Sequence, residues 1–120
     1  MADRALFIGW DRAVRGREER ALEVFNEAMG ILGRMQQDGR IEKFDVMLLA
    51  PSKELGGCIS VQGSADQIAA LREDEEFMRN TVDAELCVDG ICHIDAFVNE
   101  GVSRQMELFQ QRIAEVPQSA

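Results

Sequence analysis

The feature of this sequence that most constrains its fold is a repeated switch between two hydrophobic periodicities. Between about residues 17 and 37, apolar residues recur at steps of three and four, which is the period of an amphipathic α-helix. Residues 41–50 instead alternate in steps of two, as a half-buried β-strand does. The sequence therefore predicts a domain that contains both helices and strands.

The other segments continue this alternation. Ser64 and Gln67 form a capping box that predicts the start of a second helix, and the acidic run after it predicts a break near Asp74. Gly30 and Gly33 interrupt the first helix and predict close packing against a sheet or another helix. Strands are predicted at 5–10, 41–50, 58–62 and 91–98, a loop at 51–57, and helices at 17–37, 64–82 and 103–115.

This element order is the split βαβ pattern of a ferredoxin-like fold, βαββαβ, with an extra C-terminal helix. Right-handed crossovers place both main helices on one face of a four-stranded antiparallel sheet, so the other face is left open. The length of 120 residues, with 46% hydrophobic and 29% charged residues, fits a single domain over 1–120. The fold class is therefore α+β.

The alternation within each strand predicts which side chains lie on the open face. The row that contains Cys92 and Ile94 is the more apolar half of the last strand, so we expect it to face the helices. The first strand leaves two choices, with either Phe7 and Gly9 or the Leu6 row on the open face. The other residues expected on the open face are Lys43, Asp45, Met47, Leu49, Cys58, Ser60, Gln62, Ile91, His93, Asp95 and Phe97.

Charge and hydropathy exclude several classes of protein. The chain has 13 Lys and Arg against 22 Asp and Glu, a net charge of −9, which argues against a nucleic-acid partner because phosphate binding needs clustered bases. No apolar stretch approaches the length of a membrane span, so we expect no membrane association and a cytoplasmic protein.

The three cysteines are predicted to be reduced thiols, since an odd number spread over apolar segments does not suggest a disulfide framework. The spacing of Cys87, Cys92 and His93 matches no zinc pattern, and neighbours on a strand point to opposite faces. We therefore predict no metal site, and no cofactor is expected.

The whole layout resembles the dimeric α/β-barrel superfamily, which includes muconolactone-isomerase-like proteins and antibiotic-biosynthesis monooxygenases. The resemblance covers nearly the whole chain through its element order, the 71–77 stretch after the capped helix and the Asn99-Glu100-Gly101 exit into the final helix. It implies that two sheets pack face to face across a two-fold axis and enclose a small-molecule pocket. The open face is also too apolar to leave in water, so a homodimer is expected on this ground as well.

Two functions are consistent with the sequence. The first is a small-molecule-binding protein or cofactor-independent enzyme with its pocket on the open sheet face of a homodimeric α/β barrel. In this hypothesis His93 acts as a general base, and Asp95 raises its pKa and holds its tautomer. In the second, a non-catalytic dimerisation or regulatory module, the same face is only an interface. Under the first hypothesis the predicted catalytic residues are His93 and Asp95, and the predicted substrate-binding residues are Ser60, Gln62, Met47, Phe97 and Trp10.

Overall fold

A computed structural model describes residues 2–51 and 55–117. The strands are β1 (Arg4–Trp10), β2 (Arg12–Ala13), β3 (Lys43–Leu48), β4 (Gly57–Gly63), β5 (Val88–Asp89) and β6 (Cys92–Phe97). The helices are α1 (Glu18–Gln37), α2 (Ala65–Glu73), α3 (Glu75–Glu85) and α4 (Glu100–Glu115). The predicted loop at 51–57 includes residues 52–54, which lie outside the described residues. Elsewhere the four main strands and the helices come in the predicted order, but the two short strands β2 and β5 were not predicted.

The first helix buries one stripe and exposes the rest. Its buried residues follow the helical period, and the chain leaves α1 through Gly39, whose φ of 76° needs a residue without a side chain. The close packing predicted for Gly30 and Gly33 is wrong, because a Cβ on Gly33 would meet nothing within 4 Å and one on Gly30 only the Arg34 guanidinium at 3.5 Å. The buried stripe consists of Val24, Ile31, Leu32 and Met35.

The predicted break in the second helix is confirmed at Asp74. The capping box between Ser64 and Gln67 starts α2, as expected. Asp74 then has extended backbone angles, ends α2, and accepts a hydrogen bond at 2.9 Å from the backbone N–H of Phe77 in α3. Arg40 donates a second hydrogen bond to the same carboxylate at 2.6 Å. The Asp74 side chain therefore caps α3 and links the junction of α2 and α3 to Arg40.

The four main strands form one antiparallel sheet in the order β3-β4-β1-β6, and β2 pairs with β5 as a separate two-stranded ribbon. In the β1–β4 ladder, Leu6 lies opposite Val61 and Ile8 lies opposite Ile59. All four are buried against the helices together with Leu32 and other residues of the core. The choice that the sequence left open for β1 is thus decided. Leu6, Ile8 and Trp10 face the helices, whereas Phe7 and Gly9 lie on the open face.

The predicted orientation of β6 is wrong. His93 lies opposite Ile8 and Asp95 lies opposite Leu6 in the β1–β6 ladder, and residues directly opposite each other share a face. His93, Asp95 and Phe97 are therefore on the helix side, and Cys92, Ile94 and Ala96 are on the open face. The more apolar row does not mark the helix side here, because the open face is itself apolar around Phe7 and Met47.

Within the described ranges, no helix combines the length and the apolar composition that crossing a bilayer would require.

Candidate functional site

A cavity of about 360 Å³ lies between the sheet and helices α1 and α3. Its floor is formed by β1, β4 and β6, and the ribbon of β2 and β5 lies beside it. The lining is almost entirely apolar, and exposed Leu22 and Leu48 mark where it meets solvent. The residues that line the cavity include Ile8, Trp10, Phe25, Ala28, Phe77, Asn80, Thr81 and His93.

Two aromatic pairs fix the shape of this cavity. Trp10 at the end of β1 and Phe25 in α1 meet edge to face, with ring centroids 6.0 Å apart and an angle of 66° between the rings. Phe77 in α3 and His93 in β6 form the second pair, 5.6 Å apart and tilted by 31°. The cavity therefore has flat aromatic walls from four different elements, a setting that suits a planar apolar molecule.

The polar groups of the cavity lie together on its α3 and β6 side. Asn80 is buried, and its Nδ2 donates a hydrogen bond to the Val24 carbonyl oxygen at 3.1 Å. This leaves the Asn80 side-chain oxygen as an acceptor. The Thr81 hydroxyl donates to the Phe77 carbonyl oxygen at 3.1 Å. In the part of the chain that the structure describes, no residue hydrogen-bonds to the His93 ring, so both of its nitrogens are available to a ligand.

The surroundings of His93 keep its ring neutral. Burial lowers the pKa of His93 below its ordinary value of 6.5, and the positive charge of Arg72 lowers it further, while Glu85 opposes both effects. The predicted effect of Asp95 is therefore wrong, because Asp95 pairs with Arg72 at 3.4 Å and does not raise the pKa of His93. A neutral imidazole can accept a proton at pH 7.

The structure separates the seven predicted site residues into three groups. His93 and Trp10 line the cavity. Asp95 and Phe97 lie on the same side of the sheet as His93 and Trp10, but they do not line the cavity. The Asp95 side chain is 67% exposed, and the Phe97 ring lies 4.6 Å from the Arg4 guanidinium. The sequence predicts a pocket on the open face, but this cavity lies on the helix side of the sheet. The open face carries Met47, Ser60 and Gln62. Any role of these residues in substrate binding stays a prediction.

Sequence reasoning missed two cavity residues that carry a recognisable signal. Phe77, Asn80, Thr81 and Ala84 follow the spacing i, i+3, i+4, i+7, so Asn80 and Thr81 are two polar residues between apolar ones on one face of α3. A buried amide on such a face needs a partner, and here the partner is a backbone carbonyl oxygen of α1.

The cysteines do not form a metal site. Cys58 and Cys92 lie on either side of Gly9 on the open face, so two strand spacings, about 10 Å, separate their Cα atoms. Cys87 is buried elsewhere, with its thiol directed at the Asp83 carbonyl oxygen. Across residues 2–51 and 55–117, His, Cys, Asp and Glu side chains form no group of three that could hold a metal ion.

The similarity of this chain to known proteins lies in its fold. No family model and no curated protein matches the sequence. The fold is similar to a dimeric ferredoxin-like protein of unknown function from Jannaschia sp. CCS1, with a TM-score of 0.63 and 10% identity over 79% of this chain and 98% of that one.

Two enzymes have similar structures. The hydroxynitrile lyase of Passiflora edulis has a TM-score of 0.63 and 9% identity, covering 83% of this chain and 97% of that one. SnoaB, a cofactor-independent oxygenase from Streptomyces nogalater, has a TM-score of 0.50 and 12% identity, covering 82% and 93%. At these identities the likeness concerns the fold alone. The chain therefore has a ferredoxin-like α+β fold, and the predicted resemblance to dimeric ferredoxin-like proteins, including oxygenases of this architecture, is confirmed at the level of the fold.

Proposed function

We propose that this protein binds a small, planar, largely apolar molecule in the cavity, with a hydroxyl of the ligand placed against His93. The observation that carries the proposal is the combination of an apolar cavity of about 360 Å³ with one neutral imidazole on its wall. Cavities for small ligands are usually of this kind, apolar with a few polar groups that fix the orientation of the ligand.

The arrangement supports general-base chemistry on such a ligand. A neutral His93 nitrogen can take the proton of a bound phenol or enol, so that the ring becomes an imidazolium and the ligand becomes an anion. Asn80 and Thr81 lie on the same wall and can orient a second oxygen. The structural likeness to a cofactor-independent oxygenase supports a reaction that needs only the side chains of the protein.

We further propose that the protein is a homodimer whose open sheet faces pack together. Ile94 is 53% exposed and Met47 is 58% exposed on that face, and burial of such side chains favours association. Two structures with this fold, from Jannaschia and from Bacteroides fragilis, are described as dimeric. Met47, Ser60 and Gln62 would then contact the second copy. Light scattering should give the mass of a dimer at micromolar concentration.

The cytoplasm is the compartment that we propose, since all three cysteines are thiols in the structure. Alkylation of the unfolded protein without a reductant should modify Cys58, Cys87 and Cys92. A mass lower by two protons in fresh protein, which indicates a disulfide, would contradict this assignment.

Ligand binding can be tested with 1-naphthol, followed by NMR. The chain has one histidine and one tryptophan, so the ring signals of His93 and Trp10 are unambiguous reporters from two neighbouring strands of the cavity floor. We expect both signals to shift saturably, with a dissociation constant below about 1 mM. The ether 1-methoxynaphthalene, which has no O–H to donate, should bind about fivefold more weakly, since one hydrogen bond contributes about 1 kcal/mol.

His93→Gln should remove most of the difference between the two probes, whereas Asn26→Gln, on the exposed side of α1, should leave it unchanged. If neither reporter shifts with either probe, the cavity is not a ligand site. The alternative function, a dimerisation module without chemistry, would then be the better one.

A further inference from the structure

We propose that α4 is an arm that packs against a second copy of this chain, an inference that rests on the homodimer of the proposed function. α4 is sixteen residues long, and Gly101 in its first turn is its only buried residue. Val102, Met106 and Phe109, which we call the α4 stripe, are 46%, 51% and 60% exposed. An amphipathic helix of this length normally buries its apolar stripe against its own domain.

The start of α4 is held firmly, so the helix has a fixed direction. Asn99 donates a hydrogen bond at 2.8 Å to the Ala2 carbonyl oxygen, and Arg104 forms an ion pair with Asp3. Gly101 lies directly against the Asp3 carbonyl oxygen, where a Cβ would not fit. These contacts attach the first turn to the start of β1, whereas residues 106–115 of the later turns are all exposed.

The molecule is more extended than a compact chain of its length, as a projecting helix would make it. Its radius of gyration is 17.1 Å and its longest dimension is 55 Å. A compact chain of 120 residues has a radius of gyration of about 14 Å. The comparison with the Jannaschia protein agrees with a separate C-terminal element. That protein is covered almost completely, yet about a fifth of this chain has no counterpart in it, and α4 with its flanking residues is of similar length.

The area that a stable dimer needs favours a second copy as the occupant. Four strands of about six residues give a flat sheet face of roughly 400 Å². The half of it formed by β3 and β4 carries Lys43, Asp45, Ser60 and Gln62 in addition to Met47. The apolar half is far smaller than the roughly 800 Å² per partner of a specific interface. The α4 stripe supplies further apolar surface on an element about 24 Å long.

The spacing and charge of α4 also favour a protein partner. Apolar residues recur at steps of four and three from Val102 through Met106 and Phe109 to Ile113 and Val116, which is the seam that packs against another helix. Helices that lie on membranes are rich in Lys and Arg. In contrast, α4 has three glutamates, two arginines and no lysine.

The test compares two double variants that change the charge equally. Met106→Glu with Phe109→Glu alters the α4 stripe, and Gln111→Glu with Ala114→Glu alters the opposite side of the same helix. By analytical ultracentrifugation, we expect the first pair to raise the dimer dissociation constant at least tenfold and the second pair to change it less than twofold.

A second measurement detects the contact directly. In a mixture of ¹³C-labelled and unlabelled protein, isotope-filtered NMR should show contacts between the Val102 and Met106 methyl groups and the other subunit. Two results would overturn the role of α4 and leave the proposed dimer intact. In the first, the wild type is a dimer but these methyl groups contact only their own chain. In the second, the wild type is a dimer and both double variants dimerise as well as it does. A monomeric wild type would overturn the role of α4 together with the proposed dimer, while the 1-naphthol titration would still test the cavity.

Discussion

Ile8 on β1 and His93 on β6 lie directly opposite each other in the antiparallel ladder, and both line the cavity beneath the helices. This pairing places the only histidine of the chain on the helix side of the sheet, next to Phe77. A candidate base is thereby placed half-buried in an apolar cavity, with aromatic walls close by.

The protonation of His93 gives the first prediction. NMR titration of its ring should yield a pKa below 6.5 in the folded protein, because burial and the Arg72 charge both disfavour the imidazolium. Arg72→Gln should raise that pKa, since it removes one of the two effects. A pKa above 6.5 in the wild type would contradict the placement of His93 in an apolar cavity.

The same shift makes stability depend on pH. Between the lowered folded pKa and the unfolded value near 6.5, the unfolded chain binds more protons at His93 than the folded protein does. The free energy of unfolding should therefore fall as the pH drops below about 6.5, and the loss should be complete below the folded pKa. Urea unfolding of His93→Gln at several pH values should show a smaller fall in the free energy of unfolding at low pH. An equal pH dependence of this free energy in the wild type and in His93→Gln would refute the prediction.

Asp74 should stabilise the junction of α2 and α3. The hydrogen bond from Arg40, followed by the backbone N–H of Phe77, holds the pKa of Asp74 below its ordinary 3.8. The stabilisation is present above that value and is lost as the pH falls through the folded pKa. At pH 7, Asp74→Ala should cost about 1–2 kcal/mol in the free energy of unfolding. Asp74→Asn, which can still cap α3, should cost less, and equal losses would argue against the cap.

Filling the cavity should separate ligand binding from stability. Ala28 lines the cavity from α1, and Ala28→Leu would place three more carbons in it. We expect an increase of about 0.5–2 kcal/mol in the free energy of unfolding, as cavity-filling substitutions commonly give. The 1-naphthol shifts at Trp10 and His93 should disappear in the same variant. Unchanged binding in a folded variant would place the ligand elsewhere.

Two glycines should respond in opposite directions to the same substitution. Gly33 lies inside α1 with open space around it, so Gly33→Ala should stabilise the protein by about 0.5–1 kcal/mol. Gly57 in β4 is different, because a Cβ there would meet the Trp10 ring at 2.5 Å and the Met47 carbonyl oxygen at 3.0 Å. Gly57→Ala should destabilise the protein and shift the Trp10 signal. Thermal unfolding of both variants checks this contrast.

The sequence by itself determined the elements of this protein, because their signals are local. The helical stripe before Gly39, the capping box at Ser64 and the break at Asp74 each depend on residues within a few positions of one another. Right-handed crossovers then left few ways to arrange four strands and their helices. The ferredoxin-like order follows from those two facts.

Only the tertiary structure decided which face of β6 meets the helices. Alternation shows that His93 and Ile94 point to opposite sides, but both sides of this sheet are apolar, so hydrophobicity does not choose between them. The choice is made by the register against β1, which is set by hydrogen bonds to a strand more than 80 positions earlier in the chain. A one-residue shift of that register would move His93 from the cavity to the open face.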